Sequence, residues 1–314
     1  MNLKLSADKT FEILAGALAG AVLVILLLTG STLLSGALPV IQKFGSYFFI
    51  GTLWNPVTGR EIFGALPYIE GTLVTSAIAL LIGVPISLGI AIFLAEMAPR
   101  SIRVPISYIV ELLAAVPSVI YGLWGLFVFR FYVIDYIETP LSQYLGWIPV
   151  FSGTPFGLDV LTAGIVLAIM IIPTVSSISR EVISAVPNSI REGAYSIGAT
   201  RWEVVRNWVL SYGRSGIFGA IILGLGRAVG ETMAVTMVIG NTVGPAAIPT
   251  SLLKGSQTMS SLIANGFLEA TTGTLELSAY IGVGLILLVL GLVINIVAEI
   301  LVTRLLKVKS GAVE

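Results

Sequence analysis

Six uninterrupted apolar runs, each long enough to cross a lipid bilayer, constrain this 314-residue chain before any motif is considered. They read Ile13 to Leu34, Gly71 to Leu94, Val104 to Phe129, Leu158 to Ile178, Ile217 to Gly240 and Leu277 to Leu301. A hydrocarbon core about 30 Å thick takes about 20 residues of helix, and a helix satisfies its own backbone where no water can. The expected fold class is an all-α integral membrane protein with six transmembrane helices. Composition agrees, with 56% hydrophobic and 11% charged residues, against about 25% charged in soluble domains. The first run follows Lys4 and Lys9 and precedes Ser35, Gly36 and Ala37, as a secretory signal would. Its apolar core exceeds the roughly 7 to 15 residues of a signal, so an uncleaved anchor is expected.

Basic residues orient the runs, because cytoplasmic loops collect Lys and Arg near helix ends. With the N-terminus inside, the inner side receives Lys4, Lys9, Arg100, Arg103, Arg180, Arg191, Arg201, Arg206, Arg214, Arg304, Lys307 and Lys309. The outer side receives Lys43, Arg60, Arg130 and Lys254. Both termini are therefore expected in the cytoplasm, with the chain in the cell membrane as a multi-pass protein.

What remains is Arg227, which falls with Glu231 near the middle of the fifth run. Each charge at that depth costs about 2.5 to 3.5 kcal/mol even on lenient insertion scales, so the pair is expected to face protein or water. Four residues apart on one helix, the two side chains share a face and can pair. Such a pair fits a substrate pathway or a purely structural ion pair, which holds helices in register. Gly226 and Gly230, with Gly219 and Gly224 nearby, form a small-residue stripe that lets another helix approach, from this bundle or from a second subunit.

Several function classes drop out. The chain has no Cys and no His, which removes thiolate nucleophiles, imidazole bases and the usual zinc ligands. No cofactor is expected, and a membrane enzyme lacks its parts. Balanced charges, 17 basic against 17 acidic, provide no field for nucleic acid. No Gly-Lys dipeptide occurs, so there is no P-loop, and Gly224-x-Gly226 has its third Gly one residue late for a dinucleotide fingerprint. A secondary transporter would be expected to carry an internal repeat, and none is visible between the halves.

The outer segments Gln42 to Glu70 and Phe131 to Phe156 carry Tyr47, Phe48, Phe49, Trp54, Tyr132, Tyr144 and Trp147, as the headgroup belt of a membrane protein does. Asn241 to Glu276, rich in Thr, Ser, Gly and Pro, reads as a long outer loop. The inner segment Ser179 to Arg214 reads as two short helices, Val186 to Ile197 and Thr200 to Leu210, hinged at Gly198. Pro187 suits the opening turn of the first helix. Gly198 can end it with positive φ, and Thr200 with Glu203 forms a capping box for the second.

Within that segment Glu192, Gly193 and Ala194, then Gly198 after three residues, then Trp208 and Leu210, resemble the EAA motif of ABC importer permeases. The motif runs Glu-Ala-Ala, three residues, Gly, nine residues, Ile, one residue, Leu-Pro; here Gly193, Trp208 and Ser211 depart from it. The resemblance implies a type I ABC importer permease fold whose coupling loop, about 179–214, docks on a cytoplasmic ATPase. A second set of residues is similar to the phosphate permeases of that family. It comprises Gly224-Leu-Gly226-Arg227-Ala-Val-Gly230-Glu231-Thr232-Met233-Ala234-Val235-Thr236, with Glu111-Leu-Leu-Ala-Ala-Val-Pro117-Ser118 and Tyr121-Gly122-Leu-Trp124-Gly125-Leu. This similarity runs from about Lys43 to Arg304.

The phosphate resemblance implies a transport subunit with no catalytic residues of its own. Its implied partners are a second permease, two ATPase subunits and an extracytoplasmic phosphate-binding protein, with inorganic phosphate as substrate. It implies a membrane domain over 67–305, preceded by an anchor and outer loop over 1–66 and followed by a cytoplasmic tail over 306–314. The family's intramembrane Arg and Glu fall on Arg227 and Glu231, and Arg offers the planar fork that suits a phosphate oxyanion. Permeases for molybdate or sulfate are the alternative that the docking loop also allows. Glu111, near the inner start of the third run, suits either a pair with an inner-loop Arg or a substrate role.

Overall fold

The computed structural model describes residues 2–302, with side chains from Lys9 onward. The side chain of Lys4, and Arg304, Lys307, Lys309 and the tail 306–314, lie outside the described residues. Among the described residues six helices are long and apolar enough to cross a membrane: Lys9–Phe44, Leu66–Met97, Ser118–Leu145, Val160–Ser184, Arg201–Gly230 and Leu275–Ile300, here spans one to six.

Span four is the most buried and forms the axis of the bundle. Val166, Leu167, Met170, Ile171 and Val175 meet Ala79 of span two, Tyr121 of span three and Ala220 and Ala228 of span five in one apolar core. Span one packs along span six and otherwise exposes its apolar side chains, as a helix solvated by lipid does. Above that pair, Trp54 sits among Phe63, Tyr68 and Tyr280 at centroid distances of 4.9, 5.4 and 5.4 Å. The two-residue strands Trp54–Asn55 and Ile62–Phe63 pair antiparallel and place Trp54 opposite Phe63. Phe48 and Trp54, expected in a headgroup belt, are instead buried in this cluster. Tyr132, Tyr144 and Trp147 are exposed.

Two of the six runs are interrupted. The third divides into an amphipathic helix, Arg100–Ala115, and span three, which starts only at Ser118. Val116 is extended (φ −67, ψ 126) because a residue before proline is disfavoured in the helical region. Span three then continues to Leu145, so much of the expected outer loop 131–156 is helical. The fifth run ends its helix at Gly230, turns extended at Glu231 and resumes as a separate helix, Met233–Val238. At its other end the helix reaches back through a wide turn to Arg201, so the second helix expected in the inner segment is continuous with span five.

Candidate functional site

The interruption of span five places its two charges. Arg227 lies in the last turn of the helix that ends at Gly230, where unpaired carbonyls and the negative end of the helix dipole favour a cation. Glu231 lies just ahead of the helix Met233–Val238, and its Oε1 accepts the Ala234 amide at 3.1 Å. An anion is favoured at that positive end. Ser260, in the helix Met259–Gly266, donates to the Glu231 carbonyl at 2.7 Å and so satisfies a backbone group at the break. Each charge is balanced by a helix end and not by the other: among the described residues no ion pair joins Arg227 to Glu231. The expected one-turn pairing on a common face is not made, because the helix that would align the side chains stops between them.

Arg227 is half-buried and donates through Nη1 to Thr174 Oγ1 at 2.9 Å. Thr174 follows Pro173 in the middle of span four. Of the five N–H donors of a guanidinium, this contact uses one. Tyr121 lies within electrostatic range of Arg227 and donates its hydroxyl to the Leu113 carbonyl at 2.9 Å, across the break at Pro117. Gly122 brings span three against the helix after Glu231: a Cβ there would meet Ala234 Cα at 2.9 Å and Met237 Sδ at 2.7 Å. Two interrupted helices thus meet against each other, and within a bilayer irregular backbone persists only against protein or a wet cavity. In the stripe of small residues, Gly224 packs on Val175 of span four, whereas Gly219, Gly226 and Gly230 have nothing within 4 Å.

Ahead of the helix that carries Arg227 the chain forms a knuckle. Its helix spans Asn188–Ser196, with Glu192 and Gly193 exposed and Ala194 buried beside Ile183, Val186, Val204 and Val209. Gly198 closes it at φ +86. The Gly198 amide reaches the Tyr195 carbonyl and the Ala199 amide the Ala194 carbonyl, at 3.0 and 3.2 Å, the double bond of a Schellman turn. Thr200 and Glu203 form the capping box. Trp208 and Leu210, half-buried, pack on the same cluster as Ala194. The tip presents Tyr195, Ile197 and Trp202 to the outside.

Glu111 lies on the amphipathic helix, outside span three, and pairs with Arg180 at 3.0 Å, the first of the two roles its sequence position left open. Thr174, Ser260 and Glu96 carry no sequence motif. A hydroxyl directly after a mid-span proline was the one visible signal for Thr174.

Residues 87–307 match the family described as binding-protein-dependent transport system inner membrane component. The phosphate transport system permease protein PstC of Haemophilus influenzae is 47% identical over 296 residues, 92% of each chain. That of Xylella fastidiosa is 46% identical over 303 residues, 95% of this chain and 91% of the relative. Among solved structures, a bacterial alginate ABC transporter in complex with its pentasaccharide-bound periplasmic protein superposes at TM-score 0.61. It covers 96% of this chain and 97% of its own at 17% identity, a likeness of fold. The MetNI methionine ABC transporter does so at TM-score 0.51 and 17% identity over 77% of this chain and 94% of its own.

Proposed function

We propose, on the premise that the chain belongs to the binding-protein-dependent transport system inner membrane components and among them to the PstC phosphate permeases, that it passes phosphate across the membrane by way of Arg227. The chain is the permease subunit of a phosphate ABC importer. Its transport unit covers 67–305. The partners that complete it are a PstA-like second permease, two PstB-like ATPases gripping the knuckle, and a PstS-like phosphate-binding protein outside. Both termini face the cytoplasm, on the side of the knuckle and its arginines.

One observation carries the reading. Arg227 is held by a neutral hydroxyl, Thr174 in the middle of span four, with the carboxylate of Glu231 engaged by the Ala234 amide. A structural ion pair would occupy the guanidinium; here its remaining donors stay available to an oxyanion that has to bind and leave. Glu231 contributes by fixing the helix break that presents Arg227. The helix from Arg201 to Gly230 runs from the knuckle to this site, about 39 Å from Arg201 to Arg227 by helical rise, so ATPase movement at Glu192, Gly193, Ala194, Gly198 and Leu210 reaches Arg227 through one rod. Alternating exposure of the site then follows the ATP cycle.

The test is uptake by the reconstituted four-component transporter carrying Arg227→Gln. Phosphate uptake should vanish while the complex still assembles; uptake near wild type overturns the role. Stimulation of ATP hydrolysis by phosphate and not by sulfate or molybdate separates this reading from the alternative oxyanion permease.

A further inference from the structure

A second group of buried charges lies at the outer end of the bundle, away from Arg227. Glu138, near the end of span three, is fully buried. Its Oε2 accepts the amides of Phe156 and Gly157 at 2.9 and 3.0 Å, and its Oε1 accepts the Thr162 hydroxyl at 3.1 Å. Asp159, just ahead of span four, is 1% exposed and caps that helix by accepting the Thr162 amide on Oδ1 at 2.8 Å. Its Oδ2 is buried with no N–H or hydroxyl donor among the described residues. The neighbour within hydrogen-bonding reach is the carboxyl of Glu138. Two carboxyl groups in contact repel when both are ionised and bond when they share a proton.

We infer that Glu138 and Asp159 hold one proton between them, carried by Asp159 Oδ2 and donated to Glu138, as a protonation site that closes the outer junction of spans three and four. The donor count assigns its position. Both oxygens of Glu138 already accept, from three donors in all, whereas Asp159 accepts the Thr162 amide on one oxygen and sets the other, without a donor, against the Glu138 carboxyl. Among the described residues no cation offsets the pair. Arg130, the nearest on span three, lays its guanidinium over the rings of Phe131 and Phe156, at 4.7 and 6.0 Å. Asp135 on the same helix and Lys254 on the outer segment are exposed, and Lys254 contributes only its carbonyl, to the Val160 amide. The walls are apolar: Val160, Leu161, Leu253, Ile137 and Leu141.

Burial pushes the Asp159 carboxyl up to about 8, with the hydrogen bond and charge of Glu138 adding to it and the Thr162 bonds opposing. The direction of the pH effect follows. A carboxyl that holds its proton more tightly folded than unfolded favours the fold below its unfolded value, near 3.8, and that contribution is lost as pH rises through about 8. The chain has no His and no Cys, the residue types that ordinarily titrate in this window. Asp159 also starts the span that carries Thr174, about 22 Å along the helix. The site therefore makes the outer junction, and with it transport, sensitive to external pH, independently of whether Arg227 binds phosphate.

The test compares wild type with Asp159→Asn in the assembled transporter by infrared titration. Asn reproduces the protonated form, with an N–H for Glu138 and an oxygen for the Thr162 amide. Wild type should show a protonated-carboxyl stretching band at about pH 6 that is absent in the variant and disappears by about pH 9, a window outside ordinary carboxyl titration. Lack of an Asp159-dependent band overturns the inference. In thermal unfolding, the wild-type midpoint should fall over the same window and the Asn midpoint should not. Glu138→Gln, which sets an amide N–H against the Phe156 and Gly157 donors, should destabilise at every pH. An Asp159→Asn protein as unstable as Glu138→Gln, or one that fails to assemble, places the proton wrongly and overturns the inference.

Discussion

Arg191 on the knuckle and Glu96 at the C-terminal end of span two form a forked contact, with Nε and Nη2 at 3.1 and 2.7 Å from one carboxylate oxygen. Arg191 also donates to the carbonyls of Ile183 and Val186, and Arg201 donates to the Glu96 carbonyl. One guanidinium thus ties together spans two and four and the knuckle helix, and it is mostly buried while doing so.

Glu96→Ala should therefore loosen the knuckle without unfolding the bundle. Losing a hydrogen-bonded charged partner costs about 1.5–3 kcal/mol. The expected outcome is a lower unfolding midpoint together with phosphate uptake several-fold below wild type at undiminished ATP hydrolysis. Arg191→Lys should behave similarly, because an ammonium cannot serve Glu96 and both carbonyls from one plane. A variant with normal uptake per ATP would detach this contact from coupling.

Gly198 is required by its backbone and not by its surroundings. A Cβ would meet nothing within 4 Å, but φ is +86, where an L-residue pays about 1–2 kcal/mol. Gly198→Ala should bend the knuckle and separate ATP hydrolysis from uptake, and Gly198→Asn, which visits this region more readily, should retain more coupling. Gly193 is the converse case: helical, exposed and unobstructed. Gly193→Ala, which restores the second residue of the EAA motif, should stabilise the helix by about 0.5–1 kcal/mol and leave uptake unchanged. Both are checked by uptake and ATPase rates measured side by side.

These inner features were legible in the sequence because their partners lie within a few residues. Thr200 and Glu203 cap one turn, and the amides of Gly198 and Ala199 answer the carbonyls of Tyr195 and Ala194. The count of spans was legible for the same reason, since length and hydropathy are local. The interruptions were not. Hydropathy runs straight through Pro117, although the proline marks the break, and straight through Glu231, whose turn depends on Ala234 and on Ser260 from 29 residues later. The Arg227 partner was misread because helical spacing was carried across that break. Thr174 lies 53 residues away, and the pairing of Glu138 with Asp159 joins the ends of two spans, so tertiary packing alone brings them together.

Gly122 tests whether the two broken helices need their close approach. Its Cβ would press on Ala234 Cα, which is backbone and cannot rotate away. Overpacking of this kind costs about 1–3 kcal/mol. Gly122→Ala should lower the unfolding midpoint and reduce uptake through a displaced Met233–Val238 helix, with Arg227 itself intact. Full activity would mean that this contact does not position the site.

Thr174 positions Arg227, and its removal separates position from charge. Thr174→Val keeps the shape and deletes the acceptor, leaving the guanidinium half-buried and one hydrogen bond short, a loss of about 1.5–3 kcal/mol for a charged donor. If the hydroxyl serves only to satisfy Arg227 in the fold, the unfolding midpoint should fall and the phosphate dependence of uptake should stay as it is. If it aims the guanidinium at the passing anion, the phosphate concentration for half-maximal uptake should change as well. We expect the second result, with Thr174→Ser restoring it, because Ser keeps the oxygen that accepts from Nη1. A Val variant with lowered stability and wild-type phosphate dependence would assign Thr174 to the fold alone.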